Sequence, residues 1–204
     1  MSEMTAAFNQ KKRIAWLWLL AVLFVAALLL IKPYWHEGPV HEAIEDTGLI
    51  LVFFAILGRL WSILYIGAHK NRHLVEIGPY SMTRNPLYLS SLLGILGVGL
   101  MFGSLVVAVV MTAAFYAVFR YTVRREAEFL LATFGKAYAD YAARTPLFIP
   151  DPRLYRKART TTFSQKALTS TFLDSLLLLA LFPVIEGIEH LRASGHLPHV
   201  ATLF

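Results

Sequence analysis

Arg84-Asn85-Pro86, with Tyr80 before it and Tyr88 after it, is a chemically loaded triplet set directly in front of a long apolar run. Pro at the first position of a helix sacrifices no hydrogen bond, and Asn is a preferred N-cap, so the stretch predicts a helix start at Pro86. The free N–H groups and positive end of such a helix attract carboxylate or phosphate. Arg84 adds a forked donor for the same anions. Tyr80 and Tyr88 add flat rings with hydroxyl tips. The same residues also describe an ordinary interfacial cap with an aromatic belt, and alone they do not separate the two readings.

A second polar segment, Arg124 to Pro150, carries complementary chemistry. Glu126 and Glu128 lie about a turn beyond an apolar run, where a carboxylate is costly unless it is paired or used. Arg124 and Arg125 are local partners that would make this a plain salt-bridged helix. Residues 122–133 suit a helix, Gly135 suits its stop, and Tyr138 and Tyr141 share a face. Arg59 stands near the middle of another apolar stretch. A charge at that depth is a functional candidate, able to hold an anionic headgroup or carboxylate, unless a partner such as Asp174 makes it a structural ion pair. His69 with His73, and His196 with His199, have metal-compatible spacing, but no third ligand accompanies either pair and no metal is expected. Gly94, Gly97, Gly99 and Gly103 lack the preceding strand that a dinucleotide loop requires; Gly99 and Gly103 read as a small-xxx-small packing pair.

The elements that must position these groups are apolar. Of the 204 residues 57% are hydrophobic and 16% charged, against roughly 45–50% and a quarter in soluble domains. The runs 14–31, 48–67, 87–102, 105–121 and 172–189 read as five spans, the last broken at Pro183. The first is about 27 Å long as a helix. It exceeds a signal-peptide core and no small-x-small cleavage site follows it, so it is expected to be retained. Residues 103–104 make a tight helical hairpin of the third and fourth spans. The expected fold is an all-α, polytopic transmembrane bundle forming a single membrane domain over 1–204, with cofactor-site segments at 68–86 and 122–150.

Charge orients this bundle. Of the eighteen Lys and Arg residues other than Arg59, sixteen fall in the N-terminus, residues 68–86 and residues 120–170. Positive-inside bias then puts the N-terminus and both polar segments in the cytoplasm, here beside a bacterial inner membrane. The two segments can therefore meet. The net charge of +6 is explained by this asymmetry and by attraction to anionic membrane lipid, so no nucleic-acid partner is expected. With no cysteine, disulfides, thiolate metal sites and a cysteine nucleophile are excluded.

Taken in order, the two segments resemble the membrane family of isoprenylcysteine carboxyl methyltransferases and phospholipid N-methyltransferases. Its pattern runs H-x-L-V-x-x-G-x-Y-x-x-x-R-H-P-x-Y, a helical hairpin, then E-E-x-x-L-x-x-x-F-G-x-x-Y-x-x-Y with R-x-P and a closing proline. This chain reads Arg72-His73-Leu74-Val75, Gly78-Pro79-Tyr80, Arg84-Asn85-Pro86-Leu87-Tyr88. After the hairpin come Glu126, Leu130, Phe134-Gly135, Tyr138, Tyr141, Arg144, Pro146 and Pro150. The resemblance covers about residues 48–150.

It implies a cofactor, S-adenosyl-L-methionine, held by Arg72, His73, Leu74, Val75, Gly78, Tyr80, Arg84, Asn85, Pro86, Leu87, Tyr88, Glu126 and Tyr138. It implies methyl transfer to a lipophilic small-molecule or lipid acceptor, with Arg124, Arg59 and Arg144 as candidates for orienting that acceptor. Four positions depart from the pattern. Arg72 and Asn85 replace histidines and Ala127 replaces the second glutamate. Thr122 stands where the isoprenylcysteine enzymes hold the substrate carboxylate with an arginine, which moves the expected acceptor away from prenylated cysteine unless Arg120 or Arg124 substitutes. A sterol-reductase-like enzyme using NADPH, with Lys70, Arg72 and Arg84 on its phosphate, and a non-catalytic lipid-binding protein are the other readings.

Overall fold

The computed structural model describes residues 2–35, 38–68, 73–158, 160–196 and 201–203, with backbone alone for 2–13 and 193. The chain is almost entirely helical. Its elements are α1 (Ser2–Leu30), β1 (Ile31–Pro33), α2 (Pro39–Ile66), α3 (Pro79–Met82), α4 (Pro86–Met101), α5 (Leu105–Phe134), α6 (Lys136–Arg144), a 3-10 turn (Pro152–Leu154), α7 (Gln165–Ala193) and β2 (Ala201–Leu203). Helices α2, α5 and α7 are each long and apolar enough to cross a membrane, and Ile14–Leu30 and α4 are shorter apolar helices. Large side chains such as Trp18, Phe54, Leu57, Val109 and Leu177 face outward. Water would penalise such surface, whereas lipid does not. The protein is an all-α integral membrane protein.

The elements differ from the sequence expectation in three instructive ways. The fourth span and the 122–133 helix are one continuous helix, α5, because no breaker separates Leu105 from Phe134; Gly135, at φ +54°, ends it. Glu126 thus stands on the same rigid rod as the span. Pro183 does not break α7. Proline removes one N–H from the ladder, but apolar helical sequence on both sides carries the helix through. A short parallel pairing of β1 with β2, Ile31 opposite Ala201, was not foreseen.

The chain packs as two compact units, with α2, α4, α5 and α7 contributing to both. The first takes Met1–Ile50, Ile95–Thr122 and Ala180–Phe204. Within it α4 and α5 approach so closely that a Cβ on Gly99 would sit 2.5 Å from the Ala108 Cα. Gly99 therefore packs against Ala108, and Gly103 has a different task. At φ +77° it turns the hairpin, donating its N–H to the Leu100 carbonyl at 2.7 Å. His41 Nε2 lies 3.6 Å from Glu189 and 3.8 Å from Glu45, and Arg192 donates to the Leu28 carbonyl at 2.7 Å.

The second unit takes Leu51–Gly94 and Val123–Leu179. Here α2 meets α4 at Gly58, where an added Cβ would collide with the Ser90 hydroxyl. All the described cofactor and acceptor candidates belong to this unit.

Candidate functional site

The stretch from Gly78 to Tyr88 is held by hydrogen bonds to a distant strap, residues 144–156. Gly78 takes φ +60°, and its N–H donates to the Arg156 carbonyl at 2.8 Å. A Cβ there would collide with the Tyr65 ring. Ser81 Oγ donates to the Gly78 carbonyl at 2.7 Å and accepts from the Arg156 N–H at 2.9 Å. Buried Thr83 donates its one hydroxyl proton between the carbonyls of Phe148 (3.0 Å) and Leu147 (3.2 Å). The Arg84 N–H donates to the Pro146 carbonyl at 2.9 Å, and the Asp151 N–H returns a bond to the Met82 carbonyl at 3.0 Å. Loop backbone buried beside a membrane has to be paired in this way.

Asn85 keeps its expected place before the helix, its carbonyl accepting from the Leu89 N–H at 3.0 Å, and takes on a second role. Helix α4 does begin at Pro86. The Asn85 side chain, however, uses its Nδ2 to donate to the Leu147 carbonyl at 3.0 Å. It fastens the strap to the helix start, while Pro86 needs no donor at N1.

From the other side, Gly135 redirects the chain and α6 presents Tyr138 and Tyr141 inward, both buried and 6.1 Å apart edge-on. Tyr141 donates its hydroxyl to the Tyr80 carbonyl at 2.8 Å. Arg144 forms an ion pair with Glu76 and lies 5.9 Å from the Tyr141 ring.

The two segments join most directly through Tyr88, whose hydroxyl donates to Glu126 Oε1 at 2.8 Å. This bond links the first turn of α4 to α5. Burial drives the Tyr80 phenol well above its usual range, and neighbouring Tyr141, Glu126 and Tyr88 push the same way. Tyr141 is raised for the same leading reason, with Tyr138 next. Tyr80 is thus a neutral donor across the physiological range. Arg84 places its Nε in a buried position with no partner among the described residues, close enough to Tyr141 to act on that phenol. A carboxylate, a phenol pair and an arginine with an unused buried donor form one polar cluster against an apolar helix end.

The structure therefore gathers Tyr80, Arg84, Asn85, Pro86, Tyr88, Glu126 and Tyr138 around one segment pairing, with Gly78 in a backbone role. Leu87 contributes its carbonyl, which accepts from Ser91 at 2.9 Å. Leu74 and Val75 are half-buried in the approach to α3, and His73 is exposed. Arg72, His69, Lys70 and His199 lie outside the described residues. Arg124 is exposed, and two residues from Glu126 it does not share that residue's side of α5. The plain salt-bridge reading holds for Glu128, which pairs with Arg125 at 3.1 Å. Arg120, the possible substitute at the Thr122 position, is exposed and donates to Tyr116 at 3.2 Å. Arg59 donates to Ser91 at 2.7 Å, and no ion pair within 4 Å joins it to Asp174 among the described residues.

Sequence reasoning gave no role to Glu76 or Arg156, and none to the carbonyls of Pro146, Leu147 and Phe148. Carbonyls carry no residue signature. The R-x-P and closing proline of the strap were the only signal, since they mark an extended, donor-poor segment.

Residues 21–137 match the family model described as phospholipid methyltransferase. The chain is 40% identical to the cobalt-zinc-cadmium resistance protein CzcN of Cupriavidus metallidurans, over 91% of this chain and 86% of that one. It is 33% identical to the nickel-cobalt-cadmium resistance protein NccN of Alcaligenes xylosoxydans xylosoxydans, over 94% and 90%. No solved structure matches it significantly.

Proposed function

We propose that this chain, which belongs to the phospholipid methyltransferase family, is an integral membrane enzyme that transfers a methyl group from S-adenosyl-L-methionine to a lipophilic acceptor. The observation that carries this reading is the Tyr88–Glu126 hydrogen bond. It joins two segments through residues thirty-eight apart, each of which alone passes as membrane-interface chemistry, and so supports reading them as one site.

The residues present suit the cofactor. Its carboxylate fits the Arg84 guanidinium, whose buried Nε has no partner among the described residues, together with the N–H groups that open α4. Its ammonium or ribose hydroxyls fit the Glu126 carboxylate, which the Tyr88 hydroxyl orients. Tyr80 and Tyr138 supply buried aromatic wall. When bound, the cofactor supplies a methyl group already activated on a sulfonium.

The protein's own contribution is alignment and exclusion of water. The strap holds Thr83, Arg84 and Asn85 by their backbone and side-chain bonds, so the site is fixed before ligand arrives. A carboxylate or thiolate acceptor needs no base, whereas an ammonium acceptor must first lose a proton. The charge asymmetry supports a cytoplasmic site with acceptor arriving from the bilayer. The relatives' names supply a cellular setting to test, exposure to cobalt, zinc, cadmium or nickel.

Calorimetry on detergent-purified protein tests the cofactor half of this proposal. Saturable binding of S-adenosylmethionine that weakens in Glu126→Ala is expected. No heat up to millimolar cofactor, with a thermal shift on NADPH instead, would turn the reading toward a reductase.

A further inference from the structure

Arg59 is a charged group beside the cofactor site that the site itself leaves unexplained. It lies in α2, seven residues from the end of the helix at Ile66, or about 10 Å along the axis. The sequence put it near mid-span. The longer helix puts it nearer the end from which the chain leads to α3. Its Nη1 donates to Ser91 Oγ at 2.7 Å. Ser91 follows Tyr88 by three residues on α4, so the two share a face about 4.5 Å apart along the axis. The guanidinium is therefore anchored one turn along α4 from the Tyr88–Glu126 bond.

Among the described residues no carboxylate pairs with this charge by contact. Ser91 accepts from Arg59 but spends its own proton on the Leu87 carbonyl at 2.9 Å. Ser90 spends its proton on the Pro86 carbonyl and Ser62 on the Gly58 carbonyl. Asp174 of α7 acts on Arg59 electrostatically, yet no ion pair within 4 Å joins them among the described residues. The Arg59 Nε is buried with no partner among the described residues. The neighbourhood offers oxygen dipoles and one remote carboxylate, which is poor compensation for a planar cation with five donors. The close crossing at Gly58 and Ser90 also fixes its depth, since a Cβ on Gly58 would collide with the Ser90 hydroxyl.

We infer that Arg59 is the receptor for an anionic group on the membrane acceptor. It holds the paired oxygens of a lipid phosphate or carboxylate one turn along α4 from the cofactor site. The inference rests on the methyltransferase reading for its meaning, but the binding itself does not. A guanidinium suits two-oxygen anions bidentately, and an acyl chain attached to that anion would remain in the bilayer. Thr122, which replaces the arginine of the isoprenylcysteine pattern, is bonded to its own helix at the Val118 carbonyl. The anion-holding role is thus vacant there and met by Arg59 on a different helix.

The test is a titration of the full chain in nonionic detergent with dihexanoyl phosphatidic acid, decanoate, uncharged dihexanoylglycerol and inorganic phosphate, followed by calorimetry. At least one anionic lipid should bind saturably. Its Kd should rise tenfold or more in Arg59→Gln, which removes one charged hydrogen-bonding group, and by a smaller factor in Arg59→Lys, which keeps the charge and loses the fork. Ser91→Ala, which frees the guanidinium, should raise Kd severalfold and keeps the test open if Arg59→Gln does not fold. Arg153→Gln on the exposed 3-10 turn should not alter it. Inorganic phosphate should neither bind nor compete. Failure of both anionic lipids to bind, equal Kd in Arg59→Gln, or equal competition by free phosphate would overturn the inference. S-adenosylmethionine is titrated in parallel on the unmodified protein. Its failure would overturn the methyltransferase reading and leave the Arg59 result standing.

Discussion

Replacing Glu126 by Gln changes one charge and almost no volume. The Tyr88 hydroxyl donates to Glu126 Oε1 at 2.8 Å, and a Gln amide oxygen can accept the same bond, so the link between α4 and α5 survives. What disappears is the negative charge. Hydrogen bonds to charged groups contribute about 1.5–3 kcal/mol and neutral ones about 0.5–1.5. The Tyr88 link should thus weaken by about 1 kcal/mol, a small change in Tm. A bound ammonium or ribose hydroxyl loses its charged acceptor outright. That is worth about 1.5–3 kcal/mol, or roughly 10- to 150-fold in Kd. Calorimetry with S-adenosylmethionine and S-adenosylhomocysteine, beside thermal unfolding, separates the two effects. Kd in Glu126→Gln within twofold of the unmodified protein, at unchanged Tm, would refute Glu126 as a cofactor ligand.

Tyr141→Phe removes the donor that satisfies the buried Tyr80 carbonyl; leaving that acceptor unpaired should destabilise the protein by about 1–3 kcal/mol, read as a lower Tm. Gly103→Ala puts a Cβ at φ +77° and 2.9 Å from His41 Nδ1, so a loss of roughly 1–3 kcal/mol is expected from strain and overpacking, again by thermal unfolding. Alkaline stability reports the buried phenols. Tyr80 and Tyr141 are raised above the ordinary value of 10.0 by burial, so below about pH 10 both states are neutral and the contribution is complete. Above it the unfolded state ionises first and Tm should fall progressively as pH rises. Tyr80→Phe should flatten that fall, and an unchanged slope would mean Tyr80 is not the group responsible.

The fold was largely legible because apolar run length encodes helices in a membrane. The breakers were less so. Pro183 sits inside α7, since a proline's local penalty does not outweigh a long apolar helix on both sides. Gly103 turns the hairpin as the break at residues 103–104 implied, and Gly99 packs against Ala108 without it. The junction of the two polar segments was anticipated from charge asymmetry, because topology restricts which loops share a side. Its particulars were not. Asn85 starts α4 as expected and is also a tether to Leu147, the second role being hidden because a carbonyl sixty-two residues away leaves no trace in local propensity. Arg144 looked available for an acceptor and is paired with Glu76, a long-range contact with no periodic signal.

Methyl transfer into a membrane-dissolved acceptor is the activity proposed for this protein. The most direct measurement incubates purified protein with methyl-labelled S-adenosylmethionine and a lipid extract, then counts label in the organic phase. Time-dependent label is expected there with the unmodified protein, and background with Glu126→Ala. Label at background with the unmodified, folded protein across lipid extracts from metal-exposed and unexposed bacteria would contradict it.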